Sequence, residues 1–385
     1  MKGSSIFIFL AIVLTIFSLL NYYIIRRGWQ ALAGTGGFRT IVLVVYGALT
    51  ICFFAGRALS RGWPGKFAES LSVVGSFYMG ILIYLFLLLV FVDGLRLIDK
   101  AVPFFPAVLR QHSRQAGRAA FFAVTGITLA LTIGGFIHMR YFRVKTMDIV
   151  IGKRAGGIET LNLVLLGDIH VGPFMHNPRL EKIVQTINSL KPDLVLIPGD
   201  IVNEETLPSE LEKMTESFRK IRSRYGVFAS TGNHEYFAGI EKSLSYLKKS
   251  GFTVLQDEAV LVDNALTIVG RINSSYIGHT ERRKPLKEIL SGVDLNLPVI
   301  LLDHQPVYLE ESQMAGVDLQ LSGHTHGGAI FPITIINDRL YEIGQGYGRK
   351  GNTQYYVTSG VGIWEPPARI GTTAEIVLMR VKFHP

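Results

Sequence analysis

Five short segments after residue 160 place Asp, Asn or His directly behind an apolar run. They contribute Asp168 and His170, then Asp200, then Asn233 and His234, then His304, and finally His324 and His326. The runs themselves, such as NLVLLG and DLVLIPG, have the length and composition of buried strands. Since ligand sites in α/β sheets lie at the carboxyl ends of strands, these side chains are expected to meet along one sheet edge.

This donor set offers nitrogen and oxygen and no thiolate, because the only cysteine is Cys52. Hard or borderline ions such as Mn, Fe and Zn suit such donors. A single ion with roughly four to six ligands would leave some of these groups unused. Two ions that share one carboxylate would use them all. Two divalent ions about 3.5–4 Å apart can clamp a phosphoryl group and hold a bridging water as hydroxide.

The motif series DIH, GDIVN, GNHE, a lone histidine after a strand, and GHTH resembles that of the calcineurin-like metallophosphoesterases. The resemblance runs from about Tyr141 to the C-terminus. The stretch QYYVTSGVGIWEPPARIGTTAEIVLMRV is also similar to the bacterial branch that includes membrane-associated members. The resemblance implies an α/β domain in which two mixed β-sheets are sandwiched by helices, with two divalent metal ions per chain.

The resemblance also implies a role for each motif residue. The first ion would be held by Asp168, His170 and His326, the second by Asn233, His304 and His324, and Asp200 would bridge them. His234 would be no ligand but would face the substrate phosphate together with Asn233. A histidine in that position can protonate the leaving alkoxide, a contribution of about 10²–10⁴-fold.

Three further residues flank these motifs. The family often has a second Asp where Asn203 stands, a position that is not usually a ligand. Glu235 follows the proposed catalytic histidine and is expected to support its loop. Arg369, near the C-terminal strand, is a candidate contact for an anionic substrate.

The first third of the chain has a different composition. Four apolar segments carry no Asp, Glu, Lys or Arg: residues 5–25, 41–56, 71–92 and 119–139. The last of them has a histidine near its end. About 20 such residues cross a bilayer core. We therefore predict a transmembrane region of about four helices over residues 1–139, followed by the metallophosphoesterase domain over 140–385.

The regular elements around the motifs alternate between strand and helix. YFRVKTMDIVI has the pattern of an opening strand. The segment NPRLEKIVQTINSL repeats apolar residues at helical spacing, with Asn177 as the expected N-cap and Pro178 at the first helical position. This alternation predicts an α/β layered domain.

The basic residues are concentrated beside the apolar segments. Residues 1–160 contain 17 Lys and Arg against 5 Asp and Glu, whereas the remainder contains 22 against 25. A nucleic-acid-binding protein would carry its basic excess on the globular part. The expected partners are therefore a lipid bilayer and a phosphorylated, lipid-linked substrate, with no nucleic acid. The oligomeric state is left open.

Three functional classes fit this sequence. The first is a membrane-anchored phosphoesterase that cleaves a phosphate ester or pyrophosphate bond of a lipid-linked or membrane-proximal substrate. The second is a tethered phosphodiesterase for soluble nucleotides or nucleic acid, and the third is a non-catalytic membrane sensor. The full set of ligands disfavours the sensor. Four spans exceed what tethering requires, which favours the first class.

The charge pattern also predicts which way the protein faces in a bacterial plasma membrane. Lys2 precedes the first segment and Arg26-Arg27 follow it, so the N-terminus should be outside. Four spans then place the catalytic domain outside as well. A cytoplasm-dependent fluorescent reporter fused after Pro385 should be dark, and alkaline phosphatase fused there should be active. A bright fluorescent fusion would reverse this topology.

Overall fold

The computed structural model describes residues 3–63, 65–204, 206–273, 283–362 and 364–384. The chain divides into two compact units. Residues 1–137 form a helical unit that also includes Glu365–Ala368, and residues 138–364 with 369–385 form an α/β unit.

The helical unit consists of long helices joined by short connections. Its helices are α1 (Gly3–Ala31), α2 (Gly37–Gly62), α3 (Lys66–Ala101), the short α4 (Ala107–Gln111) and α5 (Ser113–Met139).

Within the described residues, three stretches are long and apolar enough to cross a membrane. They are Gly37–Ser60, Lys66–Ala101 and Ser113–Met139. The expected count of four spans is therefore one too high for this part of the chain. The first expected span lies in α1, whose apolar stretch depends on residues 3–10, and several of those side chains fall outside the described set.

Small and polar residues hold these helices together. A Cβ on Gly75 of α3 would lie 2.5 Å from the Cα of Phe53 in α2, so the two backbones approach as closely as glycine allows. The buried Asn21 of α1 accepts hydrogen bonds from Tyr46, at 2.9 Å, and from Tyr78. Close packing at small residues and hydrogen bonds between helices are the interactions that remain useful in lipid, where burial of apolar surface offers little.

The α/β unit contains two mixed sheets. Its strands are β1 (Phe142–Ile151), β2 (Thr160–Leu165), β3 (Leu194–Pro198), β4 (Val227–Ser230), β5 (Thr253–Val254), β6 (Glu258–Val262), β7 (Leu266–Gly270), β8 (Val299–Leu302), β9 (Leu319–Ser322), β10 (Gly346–Lys350), β11 (Thr353–Val357) and β12 (Ala374–Phe383). Among the described residues the first sheet has the order β1-β12-β2-β3-β4-β5 and the second β10-β11-β9-β8-β7-β6. β2, β3 and β4 are parallel neighbours, as are β8 and β9, while β12 runs antiparallel to β2.

The remaining helices lie outside the sheets. They are α6 (Asn177–Ser189), α7 (Pro208–Phe218), α8 (Asn233–Phe237), α9 (Ile240–Lys249), α10 (Leu286–Ile289), α11 (Leu309–Met314) and α12 (Ile333–Leu340), with a 3₁₀ turn at His326–Gly328.

Alternation along β2 shows how the layers form. Leu161, Leu163 and Leu165 enter the core shared by the two sheets, whereas Val164 enters a second core against α6, α7 and α9. Successive strand residues point to opposite faces, so one strand serves two cores. The result is the predicted fold class, two mixed sheets packed between helices.

The start of α6 differs by one residue from the prediction. His176 is the N-cap and has no side-chain capping bond, while Asn177 is the first helical residue. The Asn177 side chain instead accepts a 2.9 Å hydrogen bond from Ser217 Oγ on α7. The Asn177 side chain therefore binds a residue on another helix and does not cap its own helix. The predicted apolar face is confirmed, since Leu180, Ile183, Val184 and Ile187 are buried.

Candidate functional site

The ends of five strands converge at one edge of the α/β unit. β2, β3 and β4 lead into the first three motifs, and β8 and β9 lead into the last two. Because the strands within each group are parallel, their carboxyl ends open at the same edge. The structure brings together the seven predicted ligands, Asp168, His170, Asp200, Asn233, His304, His324 and His326, and all are buried or nearly so.

The donor atoms form overlapping clusters. Ligand atoms lie within 4.8 Å of one another in three groups: Asp168, His170 and His326; His170, Asp200 and His234; and Asp200, His304 and His324. The first and third groups correspond to the two predicted ions. Asp200 belongs to two of the groups, as a bridging carboxylate would. His234 also lies within ligand distance, so its exclusion from the metal ligands stays a prediction.

Hydrogen bonds orient the residues that are predicted to hold the second ion. His304 Nδ1 donates to the carbonyl of Pro198 at 2.7 Å, which leaves Nε2 directed inward. That nitrogen lies 3.1 Å from Asp200 Oδ2 and 3.2 Å from Asn233 Oδ1. His324 Nδ1 approaches the same Asn233 oxygen at 3.0 Å. Two imidazoles, one amide and one carboxylate thus surround a single small volume.

Burial keeps most of these imidazoles neutral. Removal from water lowers the pKa of His170 and His326 well below the usual value and lowers the pKa of His324 to about 4. A neutral imidazole has a lone pair available for a metal ion. Burial would also lower the pKa of His304, but the charge of Asp200 outweighs it and raises that pKa to about 10.

The chemistry of the donor set fits divalent cations. Asp168 Oδ2 and His170 Nδ1 are buried and have no hydrogen-bond partner among the described residues. His170 Nε2 faces His326 Nε2 at 3.1 Å. Buried polar atoms without partners are costly, and a shared cation between such acceptors removes that cost. Seven nitrogen and oxygen donors suit two such ions.

The backbone around the site is held in sparsely populated conformations. Positive φ angles between 47° and 71° occur at Asp168, His170, Asp200, His324 and His326. Each such non-glycine residue costs on the order of 1–3 kcal/mol and persists only where its surroundings impose it. Five of the seven predicted ligands share this feature. The backbone strain at these residues is therefore associated with directing their side chains into the site.

Two glycines make room for the carboxylates. A Cβ on Gly323 would lie 2.6 Å from Asp168 Oδ2, and a Cβ on Gly232 would overlap Asp200 Oδ1. Asp168 Oδ1 accepts from the His324 amide, and Asp200 Oδ1 from the His234 amide, each at 2.9 Å. The glycines of GNHE and GHTH therefore let the backbone approach closely enough to donate these bonds.

Glu235 supports the loops, as the sequence suggested. Its carboxylate is fully buried and accepts hydrogen bonds, at 2.7–3.0 Å, from the backbone amides of Asp200, Ile201, Val202 and Gly232. One side chain thus joins the loop after β3 to the loop after β4.

Glu204 is a functional residue that the sequence reading missed. Its Oε2 lies 2.9 Å from His234 Nδ1. Burial would lower the pKa of His234, but Asp200 and Glu204 outweigh it and raise that pKa. The family's second Asp is replaced here by Asn203, and an acid one residue later approaches the histidine. The sequence feature that could have indicated this contact is Glu204 directly after Asn203 in GDIVNE.

Arg369, the candidate contact for an anionic substrate, is buried, and its role towards substrate stays a prediction. Its side chain is 1% exposed, and Nη2 donates to the carbonyls of Ser359, Gly360 and Gly362 at 2.6–3.1 Å. The same nitrogen lies 3.5 Å from His326 Nδ1. The guanidinium therefore ties the loop after β11 to the ring of a predicted ligand.

Comparison with known proteins identifies relatives of the α/β unit. A model of the calcineurin-like phosphoesterase family matches residues 161–328. An uncharacterised metallophosphoesterase of Aquifex aeolicus is 34% identical over 66% of this chain and 98% of its own length. A transmembrane protein with a metallophosphoesterase domain from Danio rerio is 30% identical over 66% of this chain and 61% of its own length.

One solved structure with a similar fold is a 5'-nucleotidase precursor from Thermus thermophilus. It has a TM-score of 0.35 and 18% identity over 57% of this chain and 55% of its own. Similarity at this level says nothing about the activity of this chain.

Substitution Gly323→Ala should reduce metal binding without unfolding the protein. The added carbon would displace the Asp168 carboxylate, whose oxygen lies 2.6 Å from the Cβ position. Elemental analysis of metal-loaded protein should show clearly less metal per chain than in the parent. Gly157→Ala is the matched control, because its added carbon meets nothing within 4 Å. Equal metal content in both variants would contradict this account of the glycine.

Proposed function

Because the chain belongs to the calcineurin-like phosphoesterases, which are metal-dependent hydrolases, we propose that it uses two divalent ions to cleave a phosphate ester or pyrophosphate bond. The proposed substrate is lipid-linked or lies close to a membrane. The observation that supports the chemistry best is the convergence of seven nitrogen and oxygen donor residues, with Asp200 at the centre of the other six. The absence of thiolate from this donor set favours Mn, Fe or Zn.

The ligands divide into two sets that share one carboxylate. Asp168, His170 and His326 would hold one ion, Asn233, His304 and His324 the other, and Asp200 both. When bound, the two ions neutralise charge on the phosphoryl oxygens and lower the pKa of an attacking water. The protein's own part is to keep these donors buried and aimed, which the strained backbone and the Glu235 hydrogen bonds accomplish.

His234 is the proposed proton donor to the leaving group. Its backbone amide is fixed on Asp200, and its ring is fixed by the 2.9 Å contact of Nδ1 with Glu204. Its raised pKa favours the protonated ring. Since Nδ1 is engaged, Nε2 is the nitrogen that would donate to a departing oxygen. Glu204 then acts as a positioning residue that orients the ring and stabilises its charge.

An inverted helix beside the site supports a lipid-linked substrate. α12 begins shortly after the ligand loop that contains His326, and its polar Asn337 is buried. Ile335, Ile336 and Leu340 on the same helix are 46%, 52% and 73% exposed. A helix on a water-facing surface normally shows the opposite arrangement. Contiguous exposed apolar side chains indicate a surface that contacts lipid or the apolar part of a ligand.

An aromatic side chain stands next to the proposed proton donor. The ring of Trp364 lies 5.2 Å from that of His234, in an edge-on arrangement, and Trp364 is 41% exposed. Indole rings favour boundaries between apolar and polar surroundings. Trp364 therefore offers an apolar contact close to the proposed proton donor, which suits the apolar part of a lipid-linked ester.

The protein is a membrane protein by its candidate spans and its transmembrane relatives. We propose that it is a multi-pass protein of a bacterial plasma membrane with the catalytic unit outside. The support is the basic pair after the first apolar segment, and the reporter fusions described above test it.

Substitution His234→Ala should separate binding from chemistry. The variant should retain about two ions per chain while its turnover falls by about 10²-fold or more, because a proton donor is lost. Asp200→Ala should lose metal as well as activity. Elemental analysis and turnover are measured on the same metal-loaded preparations. Loss of metal from His234→Ala would place this residue among the ligands instead.

Substitution Ile336→Glu should impair hydrolysis of a lipid-linked phosphodiester selectively. Removing one buried apolar contact of this size costs about 1.5–3 kcal/mol, so kcat/KM on lipid substrate in mixed micelles should fall about tenfold or more. Hydrolysis of a soluble aryl phosphodiester should not change. Leu261→Glu is the control, since Leu261 is 50% exposed on β6. Equal losses on both substrates, or none on the lipid, would argue for a soluble substrate.

A further inference from the structure

The helical unit contains a cavity whose lining residues all precede the metal motifs in the sequence. A polar chamber of about 220 Å³ lies where the end of α1, the late part of α3 and the start of α5 meet. A second, mainly apolar chamber of about 740 Å³ adjoins it. The two chambers share the lining residues Val92, Arg96, Ser113 and Ala120, so they lie side by side.

Positive charge dominates the polar chamber. Arg27, Arg96 and Arg114 line it, and Asp93 is the one acid among its lining residues. Arg27 ion-pairs with Asp93, Arg96 lies 3.8 Å from it, and the Tyr23 hydroxyl donates to it at 2.5 Å. Within the described part of the chain, Arg114 has no ion-pair partner. Three guanidinium groups against one carboxylate leave two positive charges uncompensated.

Guanidinium groups in this arrangement favour a phosphate. The planar guanidinium donates two parallel hydrogen bonds to phosphate oxygens and is more weakly hydrated than an ammonium group. Charged groups between membrane helices are costly unless they are paired, and basic pockets between such helices bind anionic lipid headgroups. The charge of the polar chamber therefore selects an anionic headgroup over a zwitterionic one.

The adjoining chamber suits an acyl chain. Its apolar lining comes from α3, from the connection after it and from α5, and includes Leu95, Phe105, Leu109, Ala116 and Ala119. The alanines of α5 leave space that larger side chains would fill. A volume of about 740 Å³ lies within the roughly 300–1,000 Å³ typical of ligand sites. Asp99, which also lines this chamber, accepts hydrogen bonds from the amides of Phe104 and Phe105, and these bonds stabilise its negative charge.

The walls of this space are fixed to one another. Arg118 of α5 donates to the carbonyls of Ala31 and Ala33 at the end of α1, at 3.3 and 2.7 Å. The Arg27 contact with Asp93 joins α1 to α3. A cavity whose three walls are linked by charged side chains is preformed, which lowers the cost of ordering on binding.

We propose that this cavity binds one anionic phospholipid, with its phosphate among Arg27, Arg96 and Arg114 and an acyl chain in the apolar chamber. The proposal concerns the helical unit alone and does not depend on the function proposed for the α/β unit. The bound lipid would act as a structural ligand of α1, α3 and α5, and it would raise the thermal stability of the protein.

The test uses the full-length protein in a zwitterionic detergent. Thermal unfolding and native mass spectrometry are recorded with phosphatidylglycerol, with phosphatidylcholine of identical chains, and with glycerol 3-phosphate. Phosphatidylglycerol should raise Tm and remain bound, and the other two should do neither. Equal retention of phosphatidylcholine would overturn the headgroup assignment, and equal stabilisation by glycerol 3-phosphate would assign the site to a soluble phosphate ester.

Matched variants locate the site. Arg96→Gln should weaken phosphatidylglycerol retention about tenfold or more, because a charge-assisted hydrogen bond is lost. Arg114→Gln makes the same test without touching Asp93. Arg39→Gln is the control, since Arg39 stacks on Trp29 and lines neither chamber. Equal losses in Arg39→Gln and Arg96→Gln would mean that surface charge attracts the lipid non-specifically, and would overturn the proposal.

A filling variant tests the acyl chamber separately. Ala119 lines the apolar chamber and not the polar one, and Ala119→Phe should fill part of the apolar chamber. Retention of phosphatidylglycerol should then fall while the circular dichroism and the Tm of the lipid-free protein are unchanged, which shows that the helical unit is folded. Undiminished retention in this variant would exclude the apolar chamber from the site.

Discussion

Two carboxylates, Asp168 and Asp200, lie almost completely buried where the two sheets meet, and the surrounding structure is organised around them. Burial in a low dielectric opposes ionisation, so each carboxylate needs positive charge and hydrogen-bond donors close by. Burial raises the pKa of Asp168 to about 7. Burial acts on Asp200 as well, but His304, His234 and His170 outweigh it and hold the pKa of that carboxyl well below its usual value. Asp200 therefore keeps its negative charge more readily than Asp168 does.

Meeting this requirement shapes the backbone nearby. Amides donate to both carboxylates only because glycine at positions 232 and 323 permits close approach. Glu235 then holds the amides of the loops after β3 and β4, and Arg369 holds the carbonyls of the loop after β11. The positive φ angles of the predicted ligands persist because these hydrogen bonds hold the loops in place. The arrangement of the seven predicted ligands is thus supported by Glu235 and Arg369, which are not among them.

Buried polar and charged side chains also have partners in the helical unit, where the surroundings are apolar. Asn21 is satisfied by tyrosines from two other helices, and Asp93 is satisfied by Arg27 and Tyr23. The excess arginine charge beside Asp93 is the exception, and it coincides with a cavity. The isoleucines of α12 are a second departure, since apolar residues face outward while Asn337 is buried. Departures of this kind point to a contact beyond the chain itself.

The sequence by itself determined the chemistry and most of the architecture. Ligand motifs follow strands, and the hydrophobic periods of two and 3.6 are local properties, so an α/β layered domain, the helix over residues 177–189 and the convergence of the donors could be predicted. The two mixed sheets were implied by the resemblance to a family. What depends on distant contacts could not be predicted. Ser217 donates to the Asn177 side chain, which was expected to cap a helix. The Arg369 guanidinium donates to three carbonyls, and Glu204 contacts His234 from a neighbouring loop. The described spans numbered three where four were expected. A motif records which groups are present, but the partner of a long polar side chain is chosen by whichever donor or acceptor the folded chain brings within about 3 Å, and only the tertiary structure decides that.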